Sequence, residues 1–128
     1  MSGSDAQVLS CHCGAAELRV VLTDGVNDAR RCDCSFCRRR AAANVTVDDG
    51  DLTVVRGETL TLYQFGTMQA EHYFCSVCGC YTHHRRSSAT SEFGVNVGGL
   101  QGVNPRDLEP VPWLDGVNYH PTKAEAGR

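Results

Sequence analysis

Eight cysteines in a chain of 128 residues constrain this fold more than any other feature, because seven of them fall into three tight groups. Cys11-His12-Cys13-Gly14 is a C-x-C-G pair. Cys32-Asp33-Cys34-Ser35-Phe36-Cys37 is a C-x-C-x-x-C triplet, and Cys75-Ser76-Val77-Cys78-Gly79 is a C-x-x-C-G pair followed at once by Cys80. Such spacings place two sulfurs on one metal ion, and the glycines after Cys13 and Cys78 suit the tight turn of a metal knuckle. Met1 to Gln7 has neither a basic start nor an apolar stretch. That predicts no signal peptide and a cytoplasmic location, where thiols stay reduced. Zinc is therefore expected rather than four disulfides. A redox C-x-x-C is disfavoured because nothing around Cys75 reads as a βαβ unit.

Hydrophobic residues make up 41% and charged residues 21% of the chain, an ordinary globular balance, and the length suits one domain with one modest core. The prediction is a single zinc-binding domain over 1–128, flexible over 1–8 and 122–128. No apolar run is long enough to span a membrane. The formal charge is −3. Two zinc ions on seven thiolates would take it to about −6, so a nucleic-acid backbone is not an expected partner.

Short alternating runs predict strands at Ala16–Leu22, Arg30–Asp33, Asn44–Val47, Leu52–Val55, Leu60–Phe65, Glu71–Phe74, Tyr81–His84 and Phe93–Val97. Arg56-Gly57-Glu58 reads as a hairpin turn between two of them. One helical turn is expected over Arg38–Ala43. Another is expected after Asn104, with Asn as cap and Pro105 at the first position. Pro110 and Pro112 then impose extended chain. The expected class is all-β with one or two short helical turns.

A structural zinc site is closed by four protein ligands, whereas a catalytic one keeps a position open. Two outer pairs and one central triplet fit a closed site of Cys11, Cys13, Cys75 and Cys78 and an open site of Cys32, Cys34 and Cys37. Two closed sites, with Cys80 or an imidazole as the eighth ligand, fit the count as well. An open zinc with three thiolates is a poor water activator but suits a soft incoming thiol, which binds as thiolate.

The order C-x-C-G, C-x-C-S-x-C-R, F-C-x-x-C-G from Cys11 to Gly79 resembles the glutathione-dependent formaldehyde-activating enzyme family, to which centromere protein V is also broadly related. Tyr81-Thr82-His83-His84-Arg85-Arg86 and Gly94-Val95-Asn96-Val97 look like members of it too. The resemblance implies a β-tent fold. It implies structural zinc on Cys11, Cys13, Cys75 and Cys78, and catalytic zinc on Cys32, Cys34 and Cys37. It implies carbon–sulfur lyase chemistry, joining a small thiol, glutathione, to formaldehyde or a related small carbonyl. Asp33, where the family often has histidine, and the extra Cys80 depart from its pattern. A non-enzymatic zinc scaffold for a protein partner is the competing function. A chromatin module is the third, and the acidic balance speaks against it.

Seven of the twelve basic residues flank the knuckles: Arg30, Arg31, Arg38, Arg39, Arg40, Arg85 and Arg86. They read as counter-charge for thiolates, or, among Arg38 to Arg40, as clamps for glutathione carboxylates. Asp33, Tyr81 and one of His83 or His84 are candidate proton donors to the product oxygen. His83 and His84 are adjacent on a strand and so must face opposite sides. His12 and His72 read as ordinary surface or core histidines, and Tyr63, Tyr73, Phe74, Tyr81 and Trp113 as core or rim aromatics.

Overall fold

Strands this short hold only when paired, and the chain pairs them into small sheets. A computed structural model describes residues 5–87 and 89–118. In chain order the elements are β1 (Gln7–Ser10), β2 (Glu17–Val20), β3 (Arg31–Cys32), the single turn α1 (Cys37–Arg40), β4 (Asn44–Asp48), β5 (Leu52–Arg56), β6 (Leu60–Tyr63), β7 (Glu71–Cys75), β8 (Tyr81–Arg85), β9 (Glu92–Asn96) and β10 (Trp113–Leu114). The sheets are β1-β2-β5, the antiparallel β4-β9-β8-β7-β6, and a two-residue parallel pair β10-β3. The fold is all-β, and the helical turns are few. Among the described residues no helix is long and apolar enough to cross a membrane.

The alternation seen in the sequence is real burial. Leu18 and Val20 of β2 are buried while Arg19 between them is exposed. Leu9 of β1 joins them against Val45, Val47, Val95 and Val97, so the main core lies between the three-stranded sheet and the β4–β9 end of the larger one. A second, thin cluster consists of Cys11, Ala16 and Cys75, edged by Leu60, Cys78 and Cys80.

Two expectations are corrected. Leu52–Arg56 and Leu60–Tyr63 are not a hairpin: β5 pairs with β2 and β6 with β7. Arg56 holds β5 to β2 through Glu17, 2.6 Å away, and donates to the Gly14 carbonyl at 3.0 Å. Gln7 and Val8, expected within a flexible 1–8, are paired with Val20 and Arg19. The turn after Cys37 stops at Arg40, because Ala41 takes a left-handed φ of 51° and Ala43 is drawn into the core. Asn104 does cap a helical turn, Pro105–Leu108, accepting from Arg106 N at 3.0 Å. The end segment 122–128 lies outside the described residues.

His83 and His84 face opposite sides of β8, as the pleat requires. His83 stacks on Tyr73 at 4.7 Å and meets Thr82 Oγ1 at 2.8 Å. Burial, with the nearby Arg85 charge, pushes its pKa down to about 4. An unfolded histidine titrates near 6.5. Between those values the unfolded chain binds the extra proton, so stability falls as pH drops through that window. Replacing His83 by Phe keeps the ring stack and removes the proton site. Denaturant titrations at several pH values between about 4 and 6.5 should then show the slope of stability against pH reduced by about 1 kcal/mol per pH unit on average, with about 1.4 as the ceiling. An unchanged slope would show that His83 is charged in the folded protein.

Candidate metal centres and the cavity beside them

The outer knuckles sit at the ends of β1 and β7. Each turns on a glycine in the left-handed region, Gly14 at φ 82° and Gly79 at φ 81°. Gly14 N donates to Cys11 O at 3.3 Å and Gly79 N to Cys75 O at 2.7 Å. The two turns bring Cys11, Cys13, Cys75 and Cys78 together, with all four sulfurs within 4.8 Å of one another. Cys11 Sγ lies 3.6 Å from Cys13 Sγ, which is 3.7 Å from Cys75 Sγ. Four sulfurs at about 2.3 Å from one zinc would stand about 3.8 Å apart, so the cage has the right size. Backbone donors face it: Ala16 N lies 3.3 Å from Cys11 Sγ and Val77 N 3.4 Å from Cys75 Sγ. The Cys13 and Cys80 amides facing Cys78 push its thiol down. At Cys13 the Ala15 amide is outweighed by desolvation and the neighbouring thiols, which push the thiol up. All eight cysteines are free thiols. Cys80 lies at the edge of this cluster and outside the set of four.

The triplet forms a second group. β3 ends in Cys32, α1 begins with Cys37, and Cys34 lies between them, with the three sulfurs within 4.8 Å. Cys37 N donates to Cys34 Sγ at 3.3 Å. Among the described residues no fourth His, Cys, Asp or Glu joins this group. One flank is covered by a strap from the C-terminal side. Leu114 pairs with Cys32, Asp33 N donates to Leu114 O at 3.3 Å, and Asp33 Oδ1 accepts from Gly116 N at 2.7 Å. The Asp33 carboxylate thus holds the strap. A Cβ on Gly116 would collide with Cys32 Sγ and stand 2.8 Å from both the Cβ and the N of Cys34. The Asp115-Gly116 turn dipeptide was the available sequence signal for this close approach.

The other flank carries rings. Phe36, inside the triplet motif, packs on Tyr63, Phe65 and His72, with centroids at 5.2, 5.3 and 4.7 Å. His72 stacks on His84 at 5.2 Å. The His84 ring lies on Gly94, where a Cβ would come within 2.5 Å of it. Tyr81 OH is 2.5 Å from His84 Nδ1 and donates to Asn44 Oδ1 at 2.7 Å. Burial, then the Arg40 charge, pushes His72 down to about 3. Burial lowers His84 in the same sense and raises the Tyr81 phenol. All three are neutral near pH 7. His72 is thus more than core filling, while His12 is exposed.

The basic residues separate cleanly. Arg30 pairs with Asp28 at 3.3 Å, Arg31 with Glu109 at 2.9 Å, Arg85 with Asp49 at 3.2 Å and Arg86 with Glu92 at 3.0 Å. Arg38 and Arg39 are exposed. Arg40 turns inward, its Nη2 4.0 Å from Cys37 Sγ and 3.2 Å from His72 Nδ1. It borders a cavity of about 260 Å³ walled by Phe36, Tyr63, His72, Phe74 and Tyr81. Trp113 lies out on the strap, half exposed, beneath Arg31.

Because the Gly116 contact involves backbone as well as sulfur, Gly116→Ala should destabilise the protein by about 1–3 kcal/mol through overpacking. Gly50 has open space around it, so Gly50→Ala should be nearly neutral. Denaturant midpoints of the two variants make the comparison, and equal midpoints would show that the strap does not press on the triplet.

A family model described as glutathione-dependent formaldehyde-activating enzyme matches residues 7–113. A protein of Halomonas elongata named "Putative glutathione-dependent formaldehyde-activating enzyme" is 38% identical over 78 residues, covering 54% of this chain and 49% of that protein. The match thus spans about half the length of that curated relative. A crystal structure of a Rhodobacter sphaeroides protein is 61% identical, with a TM-score of 0.82, covering 84% of this chain and 99% of that one. With its knuckles, its all-β sheets and a family match running from β1 to β10, the chain belongs to the glutathione-dependent formaldehyde-activating enzyme family.

Proposed function

We propose that the protein is a zinc-dependent carbon–sulfur lyase that adds a small thiol, glutathione foremost, to formaldehyde or a related carbonyl, and catalyses the reverse cleavage. The observation that carries this reading is the difference of one sulfur between the two clusters: four gather at Cys11, Cys13, Cys75 and Cys78, and three at Cys32, Cys34 and Cys37. The spacing of the four suits a closed structural zinc. The three would hold a second zinc with one position left for substrate. Bound there, zinc would lower the pKa of an incoming thiol and hold it as a thiolate.

The chain's own residues supply the rest. The strap through Gly116 covers one side of the triplet, and Arg40, at the edge of the cavity, stands on another, 4.0 Å from Cys37 Sγ. Arg40 offsets negative charge gathered at Cys37 and at an entering thiolate. The addition moves the thiol's proton to the former carbonyl oxygen. Of the candidate donors, Asp33 is engaged with Gly116 N, and His83 lies against Tyr73 and Phe93 on the other face of β8. The Tyr81 hydroxyl donates to Asn44 Oδ1 and meets His84 Nδ1, so its proton is already engaged. Holding thiol and carbonyl together in this geometry is where most of the acceleration would arise.

Elemental analysis of protein purified without added metal should find two zinc ions per chain, and a value near one would remove the two-site reading. Cys78→Ser should unfold the protein or leave it molten. Structural zinc contributes roughly 10–16 kcal/mol, more than the net stability of a typical domain. Cys34→Ser should keep most of the melting temperature and lose glutathione binding. Equal loss of stability in both would make the central site structural as well.

Addition of formaldehyde to thiols is quick without catalyst, so the activity itself needs exchange spectroscopy at equilibrium. Protein should raise the rate of interconversion between glutathione and S-hydroxymethylglutathione above the background. No increase would remove formaldehyde as substrate.

A further inference from the structure

Arg40 is half-buried against the ring cluster, whereas Arg38 and Arg39 of the same turn are exposed. Its guanidinium carbon lies 3.6 Å over the Tyr81 ring and 4.5 Å over the Phe36 ring. Among the described residues no carboxylate pairs with it, unlike Arg30, Arg31, Arg85 and Arg86. A guanidinium carries five N–H donors. Arg40 makes contacts to His72 Nδ1 and Cys37 Sγ, and its guanidinium carbon lies over two rings. The cation thus stands, with donor capacity to spare, at the boundary between the triplet and the cavity.

The cavity's size and walls do not match formaldehyde. A two-heavy-atom molecule fills about the volume of one water, some 30 Å³. The cavity measures about 260 Å³. Nor do they match the body of glutathione. Its peptide groups, ammonium and two carboxylates would meet the rings of Phe36, Tyr63, Phe74 and Tyr81, where most would go unpaired. Glutathione's carboxylates are also several bonds from its sulfur, whereas Arg40 stands only 4.0 Å from a triplet sulfur. An anion that Arg40 meets is therefore one formed close to the sulfur–carbon bond.

We infer that this cavity receives the apolar, ring-sized body of an aldehyde much larger than formaldehyde, and that Arg40 meets the aldehyde oxygen as it becomes negative. The inference rests on the carbon–sulfur reading above and names its carbonyl component. The thiol sulfur forms a bond to the aldehyde carbon, and the C=O π pair moves onto oxygen beside Arg40. The thiol's proton ends on that oxygen, giving the hemithioacetal R–S–CH(OH)–R′. Arg40 is then a catalytic residue, and the rings set specificity.

Benzoate is a non-reacting probe that joins a ring to anionic oxygens, and calorimetry on the zinc-loaded protein reads its binding without turnover. Wild type should bind benzoate at least about tenfold more tightly than acetate, the share of a buried ring. Arg40→Gln should weaken benzoate by about tenfold or more, the share of a charge-assisted contact. Tyr63 lies at the half-exposed rim, so Tyr63→Ala should fold normally and weaken benzoate severalfold while leaving acetate unchanged. That variant carries the test if Arg40→Gln does not fold. Equal affinity for acetate and benzoate overturns the inference, as does benzoate binding indifferent to both substitutions. In the exchange assay with glutathione, benzaldehyde should give a higher kcat/KM than formaldehyde. Acceleration with formaldehyde alone overturns the inference and leaves the proposed function standing. Acceleration with neither, while benzoate binds as expected, overturns the carbon–sulfur reading and the aldehyde with it.

Discussion

The approach of Cys13 Sγ to Cys75 Sγ, 3.7 Å apart and separated by 62 positions in sequence, is the contact on which the rest of the arrangement depends. It joins the end of β1 in the three-stranded sheet to the end of β7 in the five-stranded one. Apolar packing at that junction is thin, with only Cys11, Ala16 and Cys75 fully buried. Valine and leucine hold the far end, where β1 and β2 meet β4 and β9. A metal-sized cage of sulfur stands where a longer chain would place a second core. Closing so long a loop costs chain entropy, which a few buried methyl groups would not offset.

The same economy governs the triplet. The sulfurs of Cys32, Cys34 and Cys37 come from one short stretch, so bringing them together needs no long-range closure. What does come from far away is their surroundings: the strap at Gly116 on one side, and His72, Tyr81 and His84 from β7 and β8 on the other. The buried histidines are neutral, so the cluster places a cation, Arg40, next to the thiol sulfurs and lowers the local polarity around it. A charge developing there is screened less than it would be in water.

How much of this the sequence discloses follows from the range of each interaction. The knuckles are local and legible in the sequence, but spacing alone leaves Cys80 or an imidazole open as an eighth ligand. The structure groups four sulfurs and three, with Cys80 outside both sets. Strand positions are local as well, and Glu17–Val20, Glu71–Cys75 and Glu92–Asn96 lie where alternation places them. Pairing is not local. Arg56-Gly57-Glu58 has hairpin composition, yet β5 turns back to β2 because Arg56 finds Glu17 and Leu52 pairs with Val20. The choice among Arg38, Arg39 and Arg40 was equally closed to the sequence. It rests on where one helical turn stops, at the left-handed Ala41, and on which side of that turn meets Phe36 and Tyr81. Gly94 and Gly116 matter only because a ring and a pair of cysteines press on them from elsewhere in the chain.

Division of labour between the two sulfur groups follows from that difference in range. A site whose ligands come from two knuckles, Cys13 and Cys75 being 62 positions apart, loses its geometry when the fold loosens. One whose ligands are contiguous keeps its geometry locally, and its environment can change without dissolving it. On the proposed function, the second kind would exchange a fourth ligand while the fold stands. Variation in the rings and in the strap would then alter what enters the cavity, with the cage of Cys11, Cys13, Cys75 and Cys78 left untouched. On that proposal, substrate choice would reside in residues that the cysteine pattern does not reveal.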